Sequence, residues 1–113
     1  MSLREFSIDV SQEILKDLEL RLQRSRISPQ LNDVGWSNGT SVSYMREFIS
    51  YWLEEYDWRK QENYLNTCMP QYITDIDGID LHFVHKKSRN PKALTLVMTH
   101  GWPGSFFEFH KVI

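Results

Sequence analysis

The sequence predicts an α+β chain, with helices over roughly the first seventy residues, then a β-hairpin and one further buried strand. Three observations predict it. Apolar residues recur at three- and four-residue steps through residues 14–22 and 42–56, the spacing of a helix face. On either side of Asp77–Gly78 the period changes to two, and Asp-Gly is a two-residue hairpin signal. Leu96, Val97 and Met98 form an apolar run too short for a buried helix and bounded by turn residues.

Residues 4–10 alternate, with Phe6, Ile8 and Val10 apolar, and predict an extended arm able to dock on another surface. Asp9 or Ser11 then starts a helix. Its stripe is Ile14, Leu15, Leu18 and Leu22, while Lys16, Asp17, Glu19, Arg21 and Gln23 face outward. It ends near Arg24–Arg26, because Ser28–Pro29 cannot continue it. Residues 27–40 are a loop of Pro, Asn, Asp, Gly and Ser. At about 14 residues it is long for a compact domain and reads as an ordered meander rather than a linker. Trp36 is its candidate anchor, inserting into the core or into a neighbouring domain.

Residues 41–56 carry one apolar seam, Val42, Met45, Ile49, Trp52 and Tyr56, widened by Phe48 and Leu53. A core-facing stripe is the simpler reading of these rings than a cofactor box. Asp57 caps a further helix to about Thr67, closed by Pro70. Arg59 and Lys60 oppose its dipole, so a neighbouring carboxylate is expected, from Glu54, Glu55 or Glu62.

Pairing about Asp77–Gly78 sets Ile76 opposite Ile79, Thr74 opposite Leu81 and Tyr72 opposite Phe83, a nearly all-apolar face. The other face sets Asp75 opposite Asp80, a like-charge pair, and so sees water near the turn. A basic connection containing Asn90–Pro91 leads into the strand expected at Leu94–Thr99.

A net charge of −2 gives no support for nucleic-acid binding. The lone Cys68 excludes an intrachain disulfide and reads as a packed or partly exposed thiol at a helix end. His82 and His85, three apart on one strand, point to opposite faces and cannot share a metal, so no metal and no cofactor is expected. No run approaches the roughly 20 apolar residues of a membrane span. No signal segment opens the chain either, so a cytoplasmic location is the expectation.

The chemistry concentrates after the last strand, where Gly101, Pro103 and Gly104 break regular structure within four positions. Ser105 can cap a new helix, with Glu108 three residues on as in a capping box. A strand feeding such a turn leaves backbone N–H groups without partners, which is what a developing negative charge requires.

His100–Gly101–Trp102–Pro103 resembles the His-Gly-X-Pro oxyanion segment of α/β-hydrolases, in the form typical of epoxide hydrolases. Asp57–Trp58–Arg59–Lys60–Gln61 and the block Tyr72–His85 extend the likeness. Together they resemble the N-terminal region of microsomal-type epoxide hydrolases, the group that includes the juvenile-hormone enzymes, over roughly residues 3–113. The resemblance implies a helical and meandering region over 1–70 and the beginning of an α/β-hydrolase domain over 71–113. The hairpin and the strand 94–99 would open that domain's sheet.

The resemblance also implies hydrolysis of an epoxide to a diol through an aspartyl ester. The backbone N–H of Trp102 would be one oxyanion donor, supported by the turn residues His100, Gly101, Pro103 and Gly104. The Trp102–Pro103 bond is expected to be cis in the intact enzyme. The Trp102 indole either lines the substrate pocket or packs under a cap domain. His100 is structural, hydrogen-bonding within the turn, and His110 is a surface residue. The nucleophile, the histidine base and the cap tyrosines belong further on, and no Gly-x-Asp-x-Gly or Gly-x-Ser-x-Gly occurs here. The expected partners are a small lipophilic epoxide and the remaining hydrolase and cap domains. The chain alone is expected to be inactive and, because strand 94–99 would leave an unpaired edge, to associate, swap or be poorly ordered near its end. Two alternatives stand beside this reading. One is a stand-alone binding or scaffold module without catalysis, and the other is part of a different α/β-hydrolase, a dehalogenase or esterase.

Overall fold

A computed structural model of the chain describes residues 3–31 and 34–113. The hairpin is its most regular feature. Asp77 and Gly78 hold φ of 53° and 82°, the positive pair that a type I′ turn requires. They join β2, Gln71–Ile76, to β3, Ile79–Val84. The register sets Tyr72 against Phe83, Thr74 against Leu81, Asp75 against Asp80 and Ile76 against Ile79, as the alternation predicts.

The third strand is not the expected one. β1, Leu3–Phe6, pairs antiparallel with β2 and gives the sheet order β1-β2-β3. The alternating arm at the N-terminus therefore docks as an edge strand. Arg4 projects from it to pair with Asp80, which relieves the Asp75–Asp80 repulsion. That hydrogen bond and the carboxylate's charge raise the Arg4 pKa above its ordinary value. Residues 93–100 adopt no regular secondary structure, contrary to the strand expected at Leu94–Thr99. A strand exists only through its ladder, and no described segment pairs with this one. Leu94 is 95 % exposed and Val97 81 %, so the apolar character there is real but uncovered among the described residues.

The chain divides into two compact units, one of Met1–Asp9 with Arg59–Ile113 and one of Val10–Trp58. In the first, the sheet is accompanied by the helix Trp58–Cys68, which is numbered α3 after the two helices of the second unit. Leu65 on this helix and Met69 just past its end are the buried apolar side chains among the described residues. Glu62 is also buried, and Arg59 reaches it at 2.6 Å, which supplies the carboxylate the basic first turn calls for. Cys68 ends the helix half-buried, and Lys86 Nζ donates to its carbonyl at 2.9 Å, a favourable place for a cation.

In the second unit, α1 is Gln12–Gln23 and α2 is Val42–Glu54, and the two pack together. Ser11 and Ser41 cap them, each accepting an N–H three residues on. The α1 stripe narrows to Leu15, Leu18 and Leu22, which are half-buried, while Ile14 lies outside it and is exposed. The single seam expected on α2 also divides. Val42, Met45, Ile49 and Leu53 are half-buried. Tyr44, Phe48, Trp52 and Tyr56, four apart, form an exposed ladder of rings with centroids about 6 Å apart. Trp36 does not insert into a core; it stays exposed and meets Tyr44 at a tilt of 56° with centroids 5.0 Å apart. Of the loop expected at 27–40, residues 32 and 33 lie outside the described ones, and residues 34–39 turn on the bonds Ser37 N–H to Val34 O and Gly39 N–H to Trp36 O.

Candidate functional site

The corner at residues 100–110 is built from backbone hydrogen bonds. Gly104 N–H donates to Gly101 O at 2.7 Å, closing a turn around Trp102 and Pro103, and the bond between those two is cis. His100 Nδ1 lies 3.2 Å from the same Gly101 oxygen. A carbonyl only accepts, so Nδ1 carries the proton and His100 spends it within the turn. Gly101 O thus accepts twice. Gly104 is needed for space: a Cβ there would collide with the Glu108 carboxylate and stand 2.9 Å from Gly101 O.

Ser105 caps the next element, its Oγ accepting the Phe107 N–H at 3.3 Å and its carbonyl the Glu108 N–H at 3.1 Å. That element is a single turn of 3-10 helix, Phe106–Phe109, rather than the longer helix that a capping box suggests. Its dipole is correspondingly small, so any anion at this corner depends on individual N–H groups. The Trp102 N–H has no acceptor among the described residues, and its indole is 96 % exposed. His110 departs from the surface position expected of it. It is half-buried, stacks on Phe107 with ring centroids 4.3 Å apart, and its Nδ1 bonds Phe107 O at 2.8 Å.

The other histidines separate as the two-residue period requires. His85 lies near the ring of Tyr72, while His82 faces Phe6 and Phe106. Sequence reasoning does not single out two amides: Gln71, which bonds His82, and Asn66, which bonds Gln71 in turn. Gln71 is buried at 4 % exposure, and a glutamine at the first position of a strand that buries it is the signal available.

A helical region, an antiparallel hairpin and a Gly-Pro corner presenting the Trp102 N–H define the opening portion of an α/β-hydrolase. Residues 3–109 match the family described as epoxide hydrolase N terminus, and the chain belongs to that family. It is 42 % identical to epoxide hydrolase 1 of Oryctolagus cuniculus over 99 % of this chain and 25 % of that protein. It is 36 % identical to juvenile hormone epoxide hydrolase 2 of Ctenocephalides felis over 99 % of this chain and 24 % of that protein. Among solved structures, the Aspergillus niger epoxide hydrolase superposes with a TM-score of 0.87 at 32 % identity, covering 99 % of this chain and 30 % of the other. The juvenile hormone epoxide hydrolase of Bombyx mori superposes with a TM-score of 0.84 at 32 % identity, covering 97 % of this chain and 30 % of the other. The chain thus spans about a quarter of the length of the curated relatives it matches.

Proposed function

We propose that this chain supplies one oxyanion donor, the Trp102 backbone N–H, to an enzyme that hydrolyses a small lipophilic epoxide to a diol. The observation carrying this reading is a donor left without an acceptor among the described residues, on a corner closed by Gly104 N–H to Gly101 O. In the reaction, a carboxylate attacks an epoxide carbon; the ring C–O bond breaks, an ester forms, and the freed ring oxygen takes a proton from an acid of the cap domain. Water, giving a proton to the histidine base, then adds to the ester carbonyl, whose oxygen becomes the anion that the Trp102 N–H meets. Collapse of this intermediate breaks the ester C–O bond, releases the diol and returns the carboxylate. A backbone donor of this kind contributes on the order of 3 kcal/mol, a hundredfold or more in rate. His100, Gly101, Pro103 and Gly104 hold the donor in place, and the indole of Trp102 is available to an apolar substrate. The nucleophile, base and cap would come from hydrolase and cap domains beyond this region, with the region's own boundary near residue 70, where the period changes from helical to alternating.

Replacing the amide between Gly101 and Trp102 by an ester, in an enzyme of the relatives' full length, removes that N–H and also weakens Gly101 O as an acceptor. Amide exchange at Gly104 is therefore measured beside turnover to show that the corner stays closed. Turnover should fall about a hundredfold and the covalent enzyme ester should accumulate. An unchanged rate overturns the assignment. The 113-residue chain alone should not hydrate a styrene-oxide-like epoxide, and measurable turnover would refute the division of labour. Self-association through the exposed apolar segment 94–98 also belongs to this proposal, with sedimentation as its measurement; a monomer counts against it. No described helix is long and apolar enough to cross a membrane. A cytoplasmic location is likewise proposed, and fractionation tests it.

A further inference from the structure

We infer that His82 is a positioning residue, tying the corner at residues 101–110 to the sheet through one fixed ring tautomer. The order of donors and acceptors is set at Asn66. Its Nδ2 donates to Ile8 O and its Oδ1 accepts the Ile8 N–H, both at 2.8 Å. A backbone N–H only donates and a carbonyl only accepts, so the orientation of this amide is determined. Gln71 Nε2 stands 3.2 Å from the same Oδ1, and the nitrogen must therefore be on that side of Gln71. Gln71 Oε1 is left facing His82 Nε2 at 2.9 Å, so the proton of the neutral imidazole sits on Nε2. Gln71 is buried, and the other tautomer would leave two acceptors facing each other away from water.

A ring fixed in this way is a rigid platform. Phe6 of β1 meets it edge-on, with centroids 5.2 Å apart at 74°. Phe106 meets it from the other element, at 5.1 Å and 59°. Phe106 directly follows the capping Ser105 and opens the 3-10 turn, so the downstream side of the corner is held against the sheet by this contact. The upstream side, residues 93–100, has no ladder to hold it. Burial lowers the His82 pKa from its ordinary value and so favours the neutral ring, whose proton the Gln71 oxygen holds on Nε2. This role for His82 deepens the oxyanion reading by naming what holds the donor's corner. It is read without turnover, so its failure is distinct from failure of that reading.

The test uses the 113-residue chain and nuclear magnetic resonance. Long-range nitrogen–proton correlations should show His82 protonated on Nε2 alone; the Nδ1–H form, or the tautomer mixture of a free imidazole, overturns the inference. His82→Gln keeps a donor near the Nε2 position, His82→Asn places one short of it, and His82→Leu removes it. Amide exchange at Phe107, Glu108 and His110 should rise about tenfold in His82→Leu and His82→Asn, and less in His82→Gln. Exchange within the hairpin reports whether each variant stays folded. Unchanged exchange at 106–110 in His82→Leu, or equal exchange in the Gln and Asn variants, overturns it. Should His82→Leu unfold, the tautomer of the unsubstituted chain still decides.

Discussion

Gln30 Oε1 accepts the Val42 N–H at 2.9 Å, while its Nε2 donates to Gly35 O. One side chain therefore satisfies an orphan donor in the first turn of α2 and closes the middle of the loop that leads into it. Ser41 takes the Tyr44 N–H at 3.2 Å, so two of the four unpaired donors at this helix start are met by side chains. Gln30→Ala should cost about 1 kcal/mol and speed amide exchange at Val42. Gln30→Glu keeps the acceptor, loses the donor to Gly35 and gains a favourable charge near the helix start, so it should lose less. Thermal unfolding and exchange of the two variants measure the difference.

Gly78 sits at φ 82° in open space, with nothing for a Cβ to meet, so its substitution isolates backbone conformation. Gly78→Ala should destabilise the hairpin by about 1–2 kcal/mol. Asp77, at φ 53°, tolerates Asn, and Asp77→Asn should be neutral within about 0.5 kcal/mol. Exchange protection across Tyr72–Phe83 reads both.

Elements whose cause is local were legible in the sequence. The Asp-Gly turn imposes its register within a few residues, and Ser11, one of the two starts read for the first helix, caps it from within one turn. Arg59–Glu62 could be anticipated for the same reason. Elements that depend on a partner distant in the chain were not legible. Alternation told that the arm was extended, but pairing Leu3 with Thr74 is a choice no local pattern encodes. The apolar run at 94–98 has strand composition without a ladder, and Trp36 reaches Tyr44 rather than a core. At the corner, the turn from Gly101 to Gly104 was readable from Gly and Pro alone. The amides of Asn66 and Gln71 were not, because two polar residues five apart signal nothing until a strand and a helix end bring them together.

The His82 contacts make the stability of the sheet pH-dependent in a stated direction. Burial lowers the pKa of His82 below the ordinary 6.5, and its near neighbours Gln71, Phe6 and Phe106 do not titrate. The folded state therefore binds this proton less readily than the unfolded chain. The contribution is fully present above about pH 6.5 and is lost as pH falls through the lowered value. The ring is half-buried, so the loss is modest. Acidification from about pH 7 to 5 should lower the amide protection factors in β2 and β3, which are already corrected for intrinsic exchange, and His82→Gln should remove that drop. Equal pH profiles for the two chains would contradict the assignment to His82.

Gly104 offers a test in which the two obstacles to a side chain can be separated. An alanine Cβ would collide with the Glu108 carboxylate, the far end of a flexible side chain that can swing away. It would also stand 2.9 Å from Gly101 O, a backbone atom held by the Gly104 N–H itself at 2.7 Å. Relief of the first contact is cheap, whereas relief of the second loosens the hydrogen bond that closes the corner. Gly104→Ala should therefore ease local opening of residues 101–110 by about 1–3 kcal/mol, read from amide exchange at Phe107 and His110. Combining it with Glu108→Ala should recover part of that loss, because residues in contact are not additive. Full recovery would mean that the carboxylate was the whole obstacle and the backbone gives way freely. Strict additivity would mean that the close approach of Glu108 to Gly104 does not persist in solution, and the glycine would then be required only by the turn around Trp102 and Pro103.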